Sequence, residues 1–117
     1  MIRELPTTEW SSFLEAFSMQ HDRWLVNVEN LRGSNCDLEV KSEPLEGIMA
    51  RPREIIITVG GNTNTHRRVI VRDPQRVSVE SDGGVDQALQ IEEPDGSVTR
   101  VAFRSPIAPE LVDGLPP

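Results

Sequence analysis

The sequence predicts an α+β protein that is mainly β, in which one N-terminal amphipathic helix packs on a strongly bent antiparallel sheet or small β-barrel of about five to seven strands. Apolar residues follow helical spacing only between about residues 8 and 20. From about 24 to 104 they alternate with polar residues, which is typical of strands with one buried face. The connections between these runs are too short for the helical crossovers of a parallel sheet, so the strands should be antiparallel.

The predicted helix, at about 8–20, carries one apolar face. Trp10, Phe13, Leu14 and Phe17 recur at the spacing that brings side chains onto the same side of a helix. Thr7 is the expected N-cap, because its hydroxyl is suited to accept a hydrogen bond from the first turn. The apolar face is expected to cover the sheet.

Five runs of apolar residues at every second position indicate strands, and we call each run an inward row because its side chains should face the core. Pro44 and Gly47 interrupt the stretch between the second and third rows, which predicts an edge or bulged segment there. The rows are Trp24, Val26 and Val28; Leu38 and Val40; Ile55, Ile57 and Val59; Val69 and Val71; Val77 and Val79.

Charge and side-chain pattern together predict the register of one hairpin. Its two strands are joined by the glycine- and asparagine-rich segment GGNTNTHRR, which suits backbone with positive φ. Aligning the two apolar rows on one face also aligns opposite charges, whereas a slip of one residue would separate the apolar rows. The predicted pairs are Ile57 with Val69, Ile55 with Val71, Glu54 with Arg72 and Arg53 with Asp73.

The last hairpin is predicted around a three-residue turn, Pro94-Asp95-Gly96, with Gly96 in the left-handed conformation. A two-residue turn would place Leu89 opposite Arg100 and would either bury a charge or expose a leucine. The longer turn predicts the pairs Ile91 with Thr99, Leu89 with Val101, and Gln87 with Phe103.

Composition limits the class of protein. A chain of 117 residues predicts one domain over 1–117, ending in a proline-rich tail at 105–117. The hydrophobic fraction of 37% and the charged fraction of 26% are typical of a globular protein. No apolar run approaches the length of a membrane span, and the N-terminus lacks the apolar core of a secretion signal. With a single cysteine, the cytoplasm is the expected compartment.

The net charge of −7 argues against general nucleic-acid binding, because an acidic surface repels phosphates. The charge is uneven: residues 36–75 carry six basic and six acidic residues, whereas 76–117 carry three basic and eight acidic ones. The acidic C-terminal part suggests a nucleic-acid mimic as one alternative function, although interspersed arginines weaken its field.

The sequence predicts no catalytic residue, no metal site and no cofactor. His21, His66 and Cys36 lack further ligands at the spacing of a zinc site, and His21 is expected to be solvated beyond the helix end. Cys36 is expected to be a partly buried, inert thiol. Gly60-Gly61 lacks the following Lys-Ser/Thr of a phosphate-binding loop. An enzyme is therefore the less favoured interpretation.

Arginines between residues 51 and 76 form the strongest candidate for a binding site. His66, Arg67, Arg68 and Arg72 together suggest an anion site, which would suit an enzyme acting on a phosphate-bearing or carboxylate ligand. A solvated charged face is the favoured alternative, because exposed ion pairs contribute little to stability and do not by themselves indicate a binding site.

Three segments carry a family resemblance. They are EWSSFLEAFSMQHDRWLVNVE near the start, PLEGI in the middle and FRSPIAPELVDG at the end. The chain resembles a family of short bacterial proteins that form a domain of unknown function, with a W-x-x-F-L-x-x-F helix and a terminal F-R-S-P motif. The resemblance implies a free-standing domain and carries no activity, cofactor or catalytic residue.

The favoured hypothesis is a non-catalytic module that binds a protein partner or a second copy of itself, with no nucleic-acid or membrane partner. Its candidate surfaces are a sheet edge around 42–50, where Pro44 and Gly47 shorten the pairing, and the apolar tail residues Ile107 and Leu111.

Overall fold

The computed structural model describes residues 1–60 and 66–105, which form one α-helix and an antiparallel sheet of eight strands. The helix, α1, spans Trp10–Gln20 and follows a 3-10 turn at Thr7–Glu9. Among the described residues, no helix combines the length and the hydrophobicity that crossing a lipid bilayer requires. The strands are β1 (Ile2–Leu5), β2 (Leu25–Arg32), β3 (Asn35–Arg51), β4 (Glu54–Val59), β5 (Arg67–Arg72), β6 (Arg76–Asp82), β7 (Val85–Glu92) and β8 (Val98–Ser105).

The predicted class, mainly β with one N-terminal helix, is confirmed, but the strand number was too low and the sheet does not close into a barrel. The strands lie in the order β1-β6-β7-β8-β2-β3-β4-β5. Strand β1 was not predicted, and it pairs with β6 from Ile2 opposite Glu80 to Leu5 opposite Val77. Only Leu5 of β1 is buried, so this strand has no inward row that alternation would reveal. The tail residues Ile107 and Leu111 lie outside the described residues.

The apolar face of α1 packs on the core as predicted. Leu14 and Phe17 are buried, while Trp10 and Phe13 are partly buried against the same cluster. The indole N–H of Trp10 donates to the carbonyl oxygen of Leu5 at 3.1 Å. This bond ties the start of the helix to the end of β1, so the helix is fixed by both packing and a polar contact.

The predicted N-cap was wrong. Thr7 lies inside the 3-10 turn, whose N-cap position is Pro6, and neither this turn nor α1 has a side-chain cap. Pro6 holds an extended backbone and has no N–H of its own, and its carbonyl accepts from the N–H of Glu9 at 2.9 Å. A proline turn therefore starts the helix in place of a threonine cap.

Strand β3 connects the two parts of the sheet. Its first half pairs with β2 as far as Pro44, and its second half pairs with β4 from Leu45 to Arg51. Inward residues of both parts join one core cluster, so the sheet must curve around them. A register shift between Leu45 and Gly47 confirms the predicted bulge. Strand β3 is not the last strand of the sheet, which ends at β1 and β5, but its pairing with β2 stops at Pro44. Among the described residues, 47–51 pair with β4 only, so the predicted shortening of the pairing in 42–50 is found on the β2 side.

Leu38 was predicted to point inward but is 48% exposed. The register of β3 against β2 moves from Val40 opposite Val28 to Leu38 opposite Glu29. Residue 39 is thus an extra residue on β3, a β-bulge, and it turns Leu38 to the opposite face from Val40. The bulge breaks the strict alternation on which the prediction relied.

The registers predicted for the β4–β5 and β7–β8 hairpins are confirmed. Gly96 has φ of +88°, and the N–H of Glu93 donates to the carbonyl of Ser97, which closes the longer turn. In the β7–β8 hairpin the pairing ends at Ala88 opposite Ala102, one residue before the predicted pair of Gln87 with Phe103. The confirmed pairs are Ile57–Val69, Ile55–Val71, Glu54–Arg72, Ile91–Thr99 and Leu89–Val101.

Two isoleucines of the β4–β5 hairpin give a matched stability test. Ile57 is fully buried, whereas Ile70 on the other face is 42% exposed. Ile57→Ala should lower the free energy of unfolding by about 2–5 kcal/mol, because it removes core contacts and leaves a cavity. Ile70→Ala should lower it by less than about 1 kcal/mol. Urea unfolding of both variants measures the difference, and equal losses would contradict the assigned faces.

Candidate functional site

The outer face of β3, β4 and β5 brings nine residues into a regular array. Cross-strand pairing sets three rows side by side, each with one residue from each strand. The rows are Arg51, Glu54 and Arg72; Met49, Ile56 and Ile70; Gly47, Thr58 and Arg68. We call this surface the arginine face.

The middle row of the arginine face is apolar and partly open to solvent. Met49 is 54% exposed and Ile70 is 42% exposed, while Ile56 between them is nearly buried. Single exposed apolar residues are ordinary on protein surfaces, but two in one row with a third between them make a continuous patch. The patch lies between two rows that carry arginines.

Arg51, Arg68 and Arg72 form no ion pair with any carboxylate in the described ranges 1–60 and 66–105. The register sets Glu54 opposite Arg72 as predicted, yet no ion pair joins their side chains. The next predicted pair does form one: Arg53 Nη2 lies 3.1 Å from Asp73 Oδ1. The arginine face therefore carries three guanidinium groups that no carboxylate of the described residues neutralises.

A groove of about 610 Å³ runs between the arginine face and α1. Its helix side is polar and consists of Ser11, Glu15 and Ser18, which share one face of α1. Gly47 opens its floor, since a Cβ there would meet no atom within 4 Å. The groove is thus a shallow surface with a polar wall, an apolar floor and cationic ends.

The four residues predicted as an anion site do not share one surface. Arg68 and Arg72 lie on the arginine face, but Arg67 alternates with them on β5 and lies opposite the inward residue Val59. The His66 ring is 2.5 Å from a carboxylate oxygen of Glu46, between Nδ1 and Oε2. The four-residue set also leaves out Arg51, which belongs to the wider group of arginines between residues 51 and 76 and reaches the arginine face from β3.

The alternation of side chains along β5 is the sequence signal that separates Arg67 from Arg68 and Arg72 in the predicted anion site. Residues two apart share a face, so Arg68 and Arg72 belong together and Arg67 does not. Arg51 becomes a neighbour only through the β3–β4 register. That register does not follow from the apolar alternation, because a bulge between Leu45 and Gly47 shifts the pairing.

A second cleft, of about 500 Å³, borders the other side of β5. Arg68, Val69 and Ile70 line one side, and residues of β2, β3 and the β7–β8 turn line the other. A closed set of hydrogen bonds lies in its wall: the Asn30 amide and the Thr99 hydroxyl both donate to Glu93 Oε2, at 3.3 Å and 3.1 Å. These polar groups are satisfied among themselves.

His21 was expected to be solvated but is buried, with 5% of its surface exposed. Its ring stacks on Phe103 with centroids 4.4 Å apart, and Nδ1 is 2.8 Å from the carbonyl of Phe17. The spacing of four residues from Phe17 continues the apolar stripe of α1 beyond the helix end. That spacing indicates a buried residue at position 21, but the prediction treated the imidazole of His21 as a polar group. Asp86 faces the other ring nitrogen, at 3.4 Å from Nε2.

On the outer face of β6, β7 and β8, Arg100 is held by two carboxylates. Its Nε and Nη2 donate to both oxygens of Glu80 at 2.7 and 3.1 Å, and Nη1 donates to Glu29 at 3.2 Å. The hydrogen bonds from Arg100, helped by one from Gln90, outweigh desolvation and lower the pKa of Glu80. The contacts with Glu80 and, to a smaller extent, with Glu29 raise the pKa of Arg100. This network neutralises charge internally, in contrast to the arginine face.

Among residues 1–60 and 66–105, no three His, Cys, Asp or Glu side chains cluster in a way that would hold a metal ion. Cys36 follows the β2–β3 turn and is exposed, not partly buried as expected. The two histidines are separately engaged, His21 within the core and His66 by Glu46.

Comparison with known proteins adds the family. Residues 1–111 match the model of a family of unknown function, DUF5335. The chain belongs to this family. No curated protein and no solved structure matches it. The resemblance drawn from the sequence is therefore confirmed at the level of a family whose function is unknown, and the family itself indicates no catalytic activity.

The Glu80–Arg100 pair predicts a pH-dependent contribution to stability. A lowered folded-state pKa means that the contribution is present above the ordinary carboxyl pKa of about 4.3 and is lost as the pH falls through the lowered value. Glu80→Gln should lower the free energy of unfolding at pH 7 by about 1–3 kcal/mol, because it removes a charge-assisted bidentate contact. The difference from the unmodified protein should shrink below about pH 4.

Glu92→Gln is the matched control for this prediction. Glu92 lies 3.6 Å from Arg76 with both side chains well exposed, so its loss should lower the free energy of unfolding by less than about 1 kcal/mol at pH 7. Urea unfolding across the pH range measures both variants. A pH-independent difference for Glu80→Gln would contradict the ionic interpretation.

Proposed function

We propose that this protein is a non-catalytic interaction module that binds an acidic segment of a protein partner on the arginine face. The observation that carries the proposal is the set of three arginines without carboxylate partners among the described residues, placed on both sides of an exposed apolar row. Elsewhere on the same chain, Arg100 and Arg53 have such partners. A carboxylate brought by a partner would complete what the arginine face lacks.

The composition of the arginine face favours a protein over a nucleic acid. Interface centres are enriched in arginine and methionine, and Met49 and Ile70 offer apolar area beside the charges. Nucleic-acid binding requires several cations along a phosphate backbone, whereas Glu54 and Glu15 lie in or beside this small surface. Salt screens charges beyond about 8 Å, so the local cations outweigh the net charge of −7 at close range.

Two alternatives are less well supported by the geometry. An anion-dependent enzyme would need His66 and Arg67 to converge with Arg68 and Arg72, but they lie in different positions around β5. An acidic nucleic-acid mimic would need an unbroken negative surface, but Arg100 neutralises acidic residues of the outer face. The expected compartment remains the cytoplasm, on the ground of a single cysteine.

Self-association through β5 is disfavoured by charge. An antiparallel pair of β5 strands centred on Ile70 would place Arg68 opposite Arg72 of the second copy, twice over. Like charges directly opposite each other destabilise a sheet. Light scattering on the pure protein should therefore give a monomer at high concentration and physiological salt. A stable dimer whose amide shifts map to β5 would contradict this assignment.

Selection from a random peptide display library tests the binding function. The unmodified protein should enrich peptides that combine Asp or Glu with apolar residues. The double variant Arg68→Glu, Arg72→Glu should bind the selected peptides at least about tenfold more weakly, because each contact changes from attraction to repulsion. Fluorescence anisotropy with labelled peptides measures the change.

Arg104→Glu is the control, since Arg104 is an exposed arginine on β8, which pairs with β2 and β7 and with no strand of the arginine face. It should leave the affinity within about twofold, because it changes no charge of the arginine face. Circular dichroism and urea unfolding establish that each variant is folded. An equal loss of affinity in the Arg104→Glu variant, or enrichment of peptides without acidic residues, would contradict the proposed function.

A further inference from the structure

We propose that the partner binds as an extended strand added to the free edge of β5, with an acidic, an apolar and an acidic residue at alternate positions on its outer face. The proposal rests on the proposed function and specifies its binding mode and the sequence pattern of the partner.

The free edge of β5 is the first observation. Among the described residues β5 pairs only with β4 and ends the sheet. The unpaired N–H and C=O groups of an edge strand are a template for another strand. The six residues Arg67–Arg72 contain no proline, and their pairing with β4 shows no register shift, so the edge is regular. The opposite edge, β1, has only four residues and offers a shorter template.

The β4 strand gives the second observation, because it shows what β5 accepts as a neighbour. Its outer row places Glu54, Ile56 and Thr58 opposite Arg72, Ile70 and Arg68. An acidic residue and an apolar residue thus already match the corresponding positions of β5. On the free side of β5 all three positions lack a cross-strand neighbour among the described residues, so the complementary row is acidic, apolar and acidic.

The cleft along β5 is the third observation. Its volume of about 500 Å³ lies beside Arg68, Val69 and Ile70, where an added strand would run. The opposite wall includes Asp37 and Glu39, which would repel acidic residues on the inner row of the partner, while the Arg32 guanidinium in that wall is paired with Asp95 at 3.9 Å. Acidic residues are therefore favoured on the outer row over the inner row opposite Val69 and Val71, which distinguishes this partner from a uniformly acidic peptide.

A helical partner fits this surface less well. A helix presents its contacts at spacings of three and four residues, whereas the positions along β5 repeat every two residues. A helix also could not form backbone hydrogen bonds with the edge of β5, because its own N–H and C=O groups are paired internally. Charge complementarity and the regular edge both favour an extended segment.

Designed peptides test the proposal. The patterned peptide carries a glutamate two residues before and two residues after a valine, with threonine at all other positions. A shuffled peptide of the same composition carries the glutamates side by side, so that they fall on opposite faces. The patterned peptide should bind about tenfold more tightly in fluorescence anisotropy, because both glutamates reach arginines and neither meets Asp37 or Glu39.

Backbone methylation tests the added strand directly. Methylating alternate peptide nitrogens, in two complementary sets, removes the hydrogen-bond donors of one side of the strand at a time. The set that faces β5 should abolish binding at concentrations that saturate the unmethylated peptide, and the other set should leave it within about threefold. Amide shifts on binding should concentrate in β5 and not in β1.

Charge exchange gives a readout that misfolding would not imitate. Arg68→Glu, Arg72→Glu should lose the glutamate-patterned peptide and gain a lysine-patterned peptide of the same design. Failure of this exchange in a variant that circular dichroism shows to be folded would overturn the proposal.

The outcomes separate the binding mode from the binding function. If patterned and shuffled peptides bind equally and both depend on Arg68 and Arg72, strand addition is wrong and the proposed function stands. If both methylated sets bind equally well, strand addition is again wrong. If neither designed peptide binds while displayed acidic peptides do, the pattern is wrong. If no acidic peptide binds at all, both proposals fail.

Discussion

The exchange of partners within β3 is the constraint on which the rest of the structure depends. At Pro44 and Leu45 the strand leaves β2 and joins β4. Leu45 still bonds to the first part through the carbonyl of Trp24, while the carbonyl of Pro44 accepts from Gly60 in the second part, at 2.8 and 2.9 Å. Proline is tolerated here because its carbonyl, and not an N–H, makes the contact. Both parts of the sheet can then enclose one core.

The hairpins were predictable because two independent signals agreed in each. In the β4–β5 pair, apolar alternation and opposite charges gave the same register; in the β7–β8 pair, the turn residue Gly96 and the apolar rows did so. Local sequence carries this information, since hairpin pairing is set by the turn and by residues close along the chain. Such agreement is the ordinary mark of a sequence that specifies one structure.

The wrong predictions have physical causes that the alternation of apolar and polar residues does not reveal. A bulge at residue 39 reversed the face of Leu38, and pairing over a long distance in sequence made a strand of Ile2–Leu5. His21 entered the core because one nitrogen bonds the Phe17 carbonyl and the ring stacks on Phe103. An imidazole with such partners packs like an aromatic residue, so its polarity alone is a poor guide to its burial.

The candidate site was only half predictable, because a sheet surface is assembled from several strands. Proximity in sequence grouped Arg67 with Arg68, although alternation separates them; Arg51 was one of the arginines between residues 51 and 76, but only the register shows that it shares a row with Arg72. Charge counting over segments gave a neutral middle region, although that region carries the arginine face.

The contrast between two arginines shows why position in the sheet matters more than composition. Arg100 lies in the interior of the sheet, where strands on both sides supply Glu80 and Glu29. Arg68 lies on the last strand, where only one side has a neighbouring strand, and that neighbour offers Thr58. An interior arginine is satisfied by the fold itself, whereas an arginine on an edge strand keeps capacity for a carboxylate from another chain. An acidic protein can in this way carry a local site for an acidic partner.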